Sequence, residues 1–143
     1  MELRNIRIWD GRAEGYLEAD GLTIEGARIT RIGDPAPDAI DGSGLTVLPG
    51  LMDAHVHLCL DPDVRSPDDQ ITDVDDLLPA MRSRAEAMVR AGITTARDLG
   101  GGTWAELRLR DEIAEGGTPG PRLLCAGQPI TSVGGHCHFW GGE

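Results

Sequence analysis

His55 and His57 stand two apart at the end of the run Val47-Leu48-Pro49-Gly50-Leu51-Met52-Asp53-Ala54-His55-Val56-His57-Leu58. The run is apolar enough to read as a buried strand. Side chains two apart on a strand share a face, so the two imidazoles project together while Val56 turns away. Such a pair can hold one divalent ion through ring nitrogens at about 2.0–2.1 Å. Neutral ligands leave the ion its positive charge, which lets a water on it ionise near a pKa of about 7. A bare H-x-H reads equally well as two histidines satisfied in a core or on a surface. The frame favours chemistry: Asp53 lies two residues before the first histidine, and Pro49-Gly50 precedes the strand.

Other residues compete for a role. His136 and His138 form a second H-x-H inside Gly134-Gly135-His136-Cys137-His138-Phe139-Trp140-Gly141-Gly142-Glu143. The flanking glycines imply a close-packed loop rather than a strand. His136 reads either as a pocket wall or as a loop histidine with a structural hydrogen bond. Arg97 and Asp98 end a second β-rich run, Ile93 to Leu99. They read as loop anchors or substrate contacts, or else as an Arg–Asp pair or a cap to the glycine turn that follows. Cys59 sits four residues after His55, past the expected strand end, and reads as packing. Gly100-Gly101-Gly102 could cradle an anion at a helix start, but it lacks G-x-G-x-x-G spacing.

The stretch Pro49-Gly50-Leu51-Met52-Asp53-Ala54-His55-Val56-His57 resembles the P-G-x-x-D-x-H-x-H of the first barrel strand in the amidohydrolase superfamily. The lead-in Asp41 to Leu48 is similar too. Gly92-Ile93-Thr94-Thr95-Ala96-Arg97-Asp98-Leu99-Gly100-Gly101 and Gly134 to Glu143 resemble the imidazolonepropionase-like and Xaa-Pro dipeptidase-like branch. The likeness runs the length of the chain, yet covers roughly the opening third of a typical barrel enzyme of this kind. It implies a divalent metal, zinc foremost, as one or two ions in a complete enzyme. His55 and His57 would bind the more buried ion. A carboxylated lysine, further histidines and an aspartate from later strands would complete the site. Metal-activated water would then attack an amide carbon, with the aspartate moving the proton to the leaving amine. The family pattern has no ligand on the third strand, which argues against a four-histidine site.

The elements that must position these groups follow from pattern. At 143 residues the chain suits one domain, whereas a (β/α)₈ barrel takes about 200 or more. The expected fold class is therefore α/β. The resemblance implies that residues 47–143 make the first three βα units of an incomplete TIM-like (β/α)₈ barrel, and residues 1–46 part of a small β-sandwich. Parallel strands are expected near 47–57, 93–99 and 121–127. Helices are expected near 75–91 and 104–115, covering one side of the sheet. Leu77, Leu78, Met81, Ala85, Met88 and Val89 recur at helical spacing, with Gly92 as C′ residue. Thr103-Trp104-Ala105-Glu106 reads as a capping box for the second helix. Asp61 to about Asp73 reads as a loop. Nearer the start, Leu3 to Trp9 reads as one strand, and Leu22–Ile24 and Arg28–Ile32 as a hairpin about Glu25-Gly26-Ala27.

Composition narrows the partners. The net charge is −11, which argues against nucleic acid. No apolar run approaches the roughly 18 residues of a spanning helix, so no membrane is expected. No secretory leader is legible, and three widely spaced cysteines make no disulfide framework; the expected location is the cytoplasm. All 13 bases are arginine, so this chain supplies no lysine to an active site. The expected function is the N-terminal portion of an amidohydrolase acting on amide or cyclic amide bonds, with N-acyl amino acids or dipeptides as candidate substrates. No catalytic residue lies in this chain itself, which is expected to be inactive alone. An open third strand invites a second copy or a complementing C-terminal chain. The alternatives are an inactive interaction module completed by a partner, and a small histidine-based metal-binding domain.

Overall fold

A computed structural model describes residues 1–65, 70 and 73–140. The chain divides into two compact units, Met1–Pro49 and Gly50–Glu143.

The first unit is built of short strands. They are β1 (Glu2–Arg4), β2 (Arg7–Ile8), β3 (Leu22–Glu25), β4 (Arg28–Ile32), β5 (Ile40–Asp41) and β6 (Thr46–Val47). One sheet has the order β4-β3-β1-β5, and β2 pairs with β6 in a second. The expected hairpin is present: β3 and β4 are antiparallel, with Glu25 opposite Arg28 and Gly26 at φ +59° in the turn. The single strand expected from Leu3 to Trp9 is two strands in two sheets. Asn5 breaks it, at φ +58°, a left-handed conformation that asparagine tolerates better than most residues. Its amide donates to Asp41 Oδ1 at 3.0 Å. Ile6, Ile8 and Leu22 form the buried centre of this unit.

The second unit alternates strand and helix. It contains β7 (Leu51–Val56), α1 (Val74–Arg90), β8 (Ile93–Asp98), α2 (Ala105–Ala114) and β9 (Arg122–Cys125). The three strands are parallel in the order β7-β8-β9. The strand expected to begin at Val47 begins at Leu51 instead. Val47 pairs with Ile8 in the first unit, and the Leu48-Pro49-Gly50 step separates the two strands. Part of the expected 61–73 loop, residues 66–69, 71 and 72, lies outside the described residues.

Helix α1 starts where local chemistry sets it. The Asp73 carboxylate caps the first turn by accepting from Asp75 N, and Asp75 and Asp76 sit at the positive end of the helix dipole. Pro79 is tolerated inside, five residues after the start. Leu77, Leu78, Met81 and Ala85 form one buried stripe. They pack with Ala105 and Leu109 of α2, with Ala96 and Leu123 of the strands, and with Leu58 and Cys59. The helices therefore cover one face of the sheet. Arg97 and Leu124, paired in register, stay exposed.

Helix α2 departs from its expected start. No capping box forms: the N-cap residue is Trp104, at φ +60°, with no side-chain cap. Thr103 Oγ1 and both Glu106 carboxyl oxygens are buried with no hydrogen-bond partner among the described residues. Glu106 is 1% exposed. The helix has been set by the burial of Ala105 and Leu109, and Glu106 is carried inward with them. Desolvation, and secondarily the charge of Asp98, push its carboxyl above the ordinary 4.5. The unfolded carboxyl ionises at the lower value, so the folded state holds the extra proton in between and stability falls as pH rises through that window. Glu106→Met, which fills a similar volume with no polar atom, is expected to stabilise the fold by about 1–3 kcal/mol at neutral pH. Thermal melts at pH 5 and pH 8 should show the fall in the parent chain and its loss in the variant.

Candidate functional site

The site lies at the C-terminal end of β7. His55 is the penultimate residue of that strand and His57 follows its end. Simple alternation is not what brings them together. The pairing runs Asp53 with Ala96 but Val56 with Asp98, so three residues of β7 advance against two of β8. Such a slip bends a strand and re-aims its side chains. Asp53 Oδ1 accepts His55 N–H at 3.0 Å inside the irregular stretch. The result is an edge-to-face imidazole pair with ring centroids 5.4 Å apart.

His57 is held from the far side. Its Nδ1 lies 2.7 Å from the Gly100 carbonyl oxygen. A carbonyl only accepts, so Nδ1 carries the proton and Nε2 keeps its lone pair. An orienting carbonyl on one ring nitrogen is the usual support for metal ligation through the other. Gly100 in turn is fixed by Asp98, whose Oδ1 accepts Gly100 N–H at 2.8 Å and whose Oδ2 accepts Leu58 N–H at 3.0 Å. Gly100 sits at φ +91°, and a Cβ there would fall on the Gly127 carbonyl oxygen. Only glycine meets both demands.

A cavity of about 480 Å³ opens at the imidazoles. His55, His57, His136, Cys137 and Trp140 line it, together with Leu60, Asp61, Val64, Arg65 and Gln70. The Trp140 ring is 5.1 Å from that of His57. Thus three of the sequence candidates, His55, His57 and His136, share one cavity. Asp98 and Arg97 do not line it. Asp98 is buried beneath, its carboxylate taken by two backbone amides. Arg97 is exposed, and no Arg97–Asp98 ion pair occurs among the described residues. His138 opens a short 3₁₀ turn, with Nδ1 bonded to Gly135 O.

The four histidines are not gathered into one ligand set. Among the described residues no group of three or more His, Cys, Asp or Glu side chains could hold a metal ion. His55 and His57 fit a divalent ion as two neutral nitrogen donors of a larger set. Cys59 is buried, and its Sγ faces the Gly100 carbonyl oxygen at 4.0 Å; burial, with Asp98 and Glu106 nearby, pushes its thiol up to about 12.

Sequence reasoning missed the Gly100 carbonyl and the place of Asp61, Val64 and Arg65 in the cavity wall. The first is a backbone group with no residue-type signal beyond the glycine itself. The second is shaped by long-range contacts. Arg84 of α1 donates to Asp61 Oδ2 at 3.0 Å and to Leu58 O at 2.8 Å.

The Amidohydrolase family signature matches residues 46–135, more than half of the chain, and the chain belongs to that family. It is similar to a prolidase solved with N-methylphosphonate-L-proline: 28% identity over 96% of this chain and 34% of that one, TM-score 0.78. It is similar to a Xaa-Pro dipeptidase with methionine bound in the active site: 28% identity over 99% of this chain and 36% of that one, TM-score 0.78. Molinate hydrolase matches at 25% identity over 87% of this chain and 29% of that one, TM-score 0.72. The chain spans about a third of the length of these solved relatives. No curated protein sequence matches it. Among the described residues no helix is long and apolar enough to cross a membrane.

Proposed function

We propose that this chain forms the opening part of a metal-dependent amidohydrolase that cleaves carbon–nitrogen bonds. The observation that carries the reading is the imidazole pair at the cavity, with His57 Nδ1 committed to Gly100 O. β7, β8 and β9 with their two helices are read as the first strands of a (β/α)₈ barrel. Met1–Pro49 is read as part of a small β-sandwich. His55 and His57 would hold a divalent ion, zinc in our reading, in a site of one or two ions. When bound, such an ion supplies Lewis acidity, polarising a carbonyl and acidifying water.

The chain's own residues do the rest of the local work. Asp98 and Gly100 orient His57. Trp140 and Leu60 give the cavity apolar wall, which limits water around a bound amide. The likeness to a prolidase and a Xaa-Pro dipeptidase supports dipeptides or N-acyl amino acids as this chain's substrate class. β7 and β9 are the outer strands of their sheet, and Met52 and Leu124 are exposed on it. That supports completion by further strands, from a second copy or from a complementing C-terminal chain. The cytoplasm is the proposed location.

Two neutral donors fall short of the three protein ligands usual at a catalytic zinc site. The 143-residue chain is therefore expected to hydrolyse neither N-acyl amino acids nor dipeptides when zinc is added. Turnover that His55→Ala and His57→Ala both abolish would instead show that these residues suffice.

A further inference from the structure

We propose that Trp140 is a positioning residue for His57, seated by the Gly100-Gly101-Gly102 run, and that it holds the imidazole ready for an ion before one arrives. Only the zinc part of the test below rests on the functional reading above.

Three groups fix the His57 ring. Gly100 O accepts from Nδ1 at 2.7 Å. The His55 ring meets it edge to face at 5.4 Å, and the Trp140 ring lies at 5.1 Å, tilted by 49°. The hydrogen bond chooses which nitrogen is protonated, but a single bond lets the ring rock about its Cβ–Cγ axis. An aromatic neighbour at this separation opposes the rocking, and such pairs shift populations by up to about tenfold. Motion already frozen is not lost again when a ligand binds, which raises affinity.

The glycine run seats the tryptophan. A Cβ at Gly101 would fall on Cys59 Sγ, and one at Gly102 would fall on the Trp140 carbonyl. Gly102 also sits at φ +76°, a conformation glycine adopts without strain. From its other side the turn is closed by its own backbone: Trp140 N–H donates to Cys137 O at 3.0 Å and His138 N–H to Gly135 O at 3.2 Å. The run that presents a carbonyl to His57 Nδ1 therefore also carries the segment that lays an indole beside the same ring. This gives the three consecutive glycines a structural use that needs no bound anion.

The test begins with NMR of the metal-free 143-residue chain. Trp140→Ala should remove the ring-current shift from the His57 carbon-bound protons and speed exchange of its Nδ1 proton by about tenfold. Trp140→Phe should keep most of the protection. Gly102→Ala, which leaves the indole intact but displaces its seat, should match Trp140→Ala. Zinc titration of the same samples should show affinity lower by about tenfold in Trp140→Ala and Gly102→Ala, and the double variant should be no weaker than either single one. Urea midpoints separate this from a loss of folded chain. Unchanged Nδ1 exchange in Trp140→Ala, losses that add in the double variant, or losses that merely follow the urea midpoint overturn the proposal. Absence of zinc from His55 and His57 in the parent, with the metal-free results as expected, would sink the functional reading and spare this one. Zinc on the histidines with exchange and affinity indifferent to Trp140 would do the reverse.

Discussion

Asp98→Ala is expected to destabilise the fold by about 3–5 kcal/mol, a large effect for one side chain. Asp98 is 1% exposed. Each of its oxygens accepts a buried backbone amide, Leu58 N–H on one and Gly100 N–H on the other. Alanine removes both acceptors, and each buried amide left unpaired costs about 1–3 kcal/mol. The two amides belong to the segments that follow β7 and β8, so the damage lands on the loops that frame the imidazoles. Asp98→Asn keeps the volume and one acceptor but turns an amide donor toward the other N–H; it should lose roughly half as much. Urea unfolding reads the difference. A midpoint for Asp98→Ala within error of the parent would show that the carboxylate is not the joint between these loops.

Replacing either histidine of the pair by alanine is expected to lower zinc affinity by about 100-fold or more. The parent chain itself should bind weakly, because two neutral donors leave water to fill the other positions and no protein anion offsets the charge. His136→Ala should change zinc affinity little, since no three-ligand group includes it among the described residues. Competition against a chromophoric chelator measures all of these. Equal losses from His136→Ala and His55→Ala would mean that the loop histidine, not the strand pair alone, holds the ion.

The pairing of His55 with His57 was legible because spacing and frame are local properties. The mechanism of the pairing was not. Strand alternation was the warrant, yet β7 stops at Val56 and slips register against β8. A carbonyl 43 residues away aims His57, and no sequence window contains that contact. Helix α1 was legible almost to the residue, because the Leu77, Leu78, Met81 and Ala85 stripe and Gly92 agree; the Asp73 cap emerges only from the structure. Helix α2 carried a false signal. Thr103 and Glu106 have capping-box spacing, but tertiary burial of Ala105 and Leu109 won, leaving Thr103 Oγ1 and the Glu106 carboxyl buried with no partner among the described residues. Asn5 gave no warning either: a polar residue between Arg4 and Ile6 looks like an ordinary strand position until its backbone turns left-handed.

The most direct test of the metal site is ¹⁵N NMR of the imidazole rings while zinc is titrated into the chain. The expected result is that the Nε2 resonance of His57 and one ring nitrogen of His55 shift together. His57 Nδ1 should stay protonated throughout, held on the Gly100 carbonyl, while His136 and His138 hardly move. Zinc-dependent shifts confined to His136 and His138, or loss of the His57 Nδ1 proton as zinc binds, would contradict the assignment of the strand-end pair as the metal ligands.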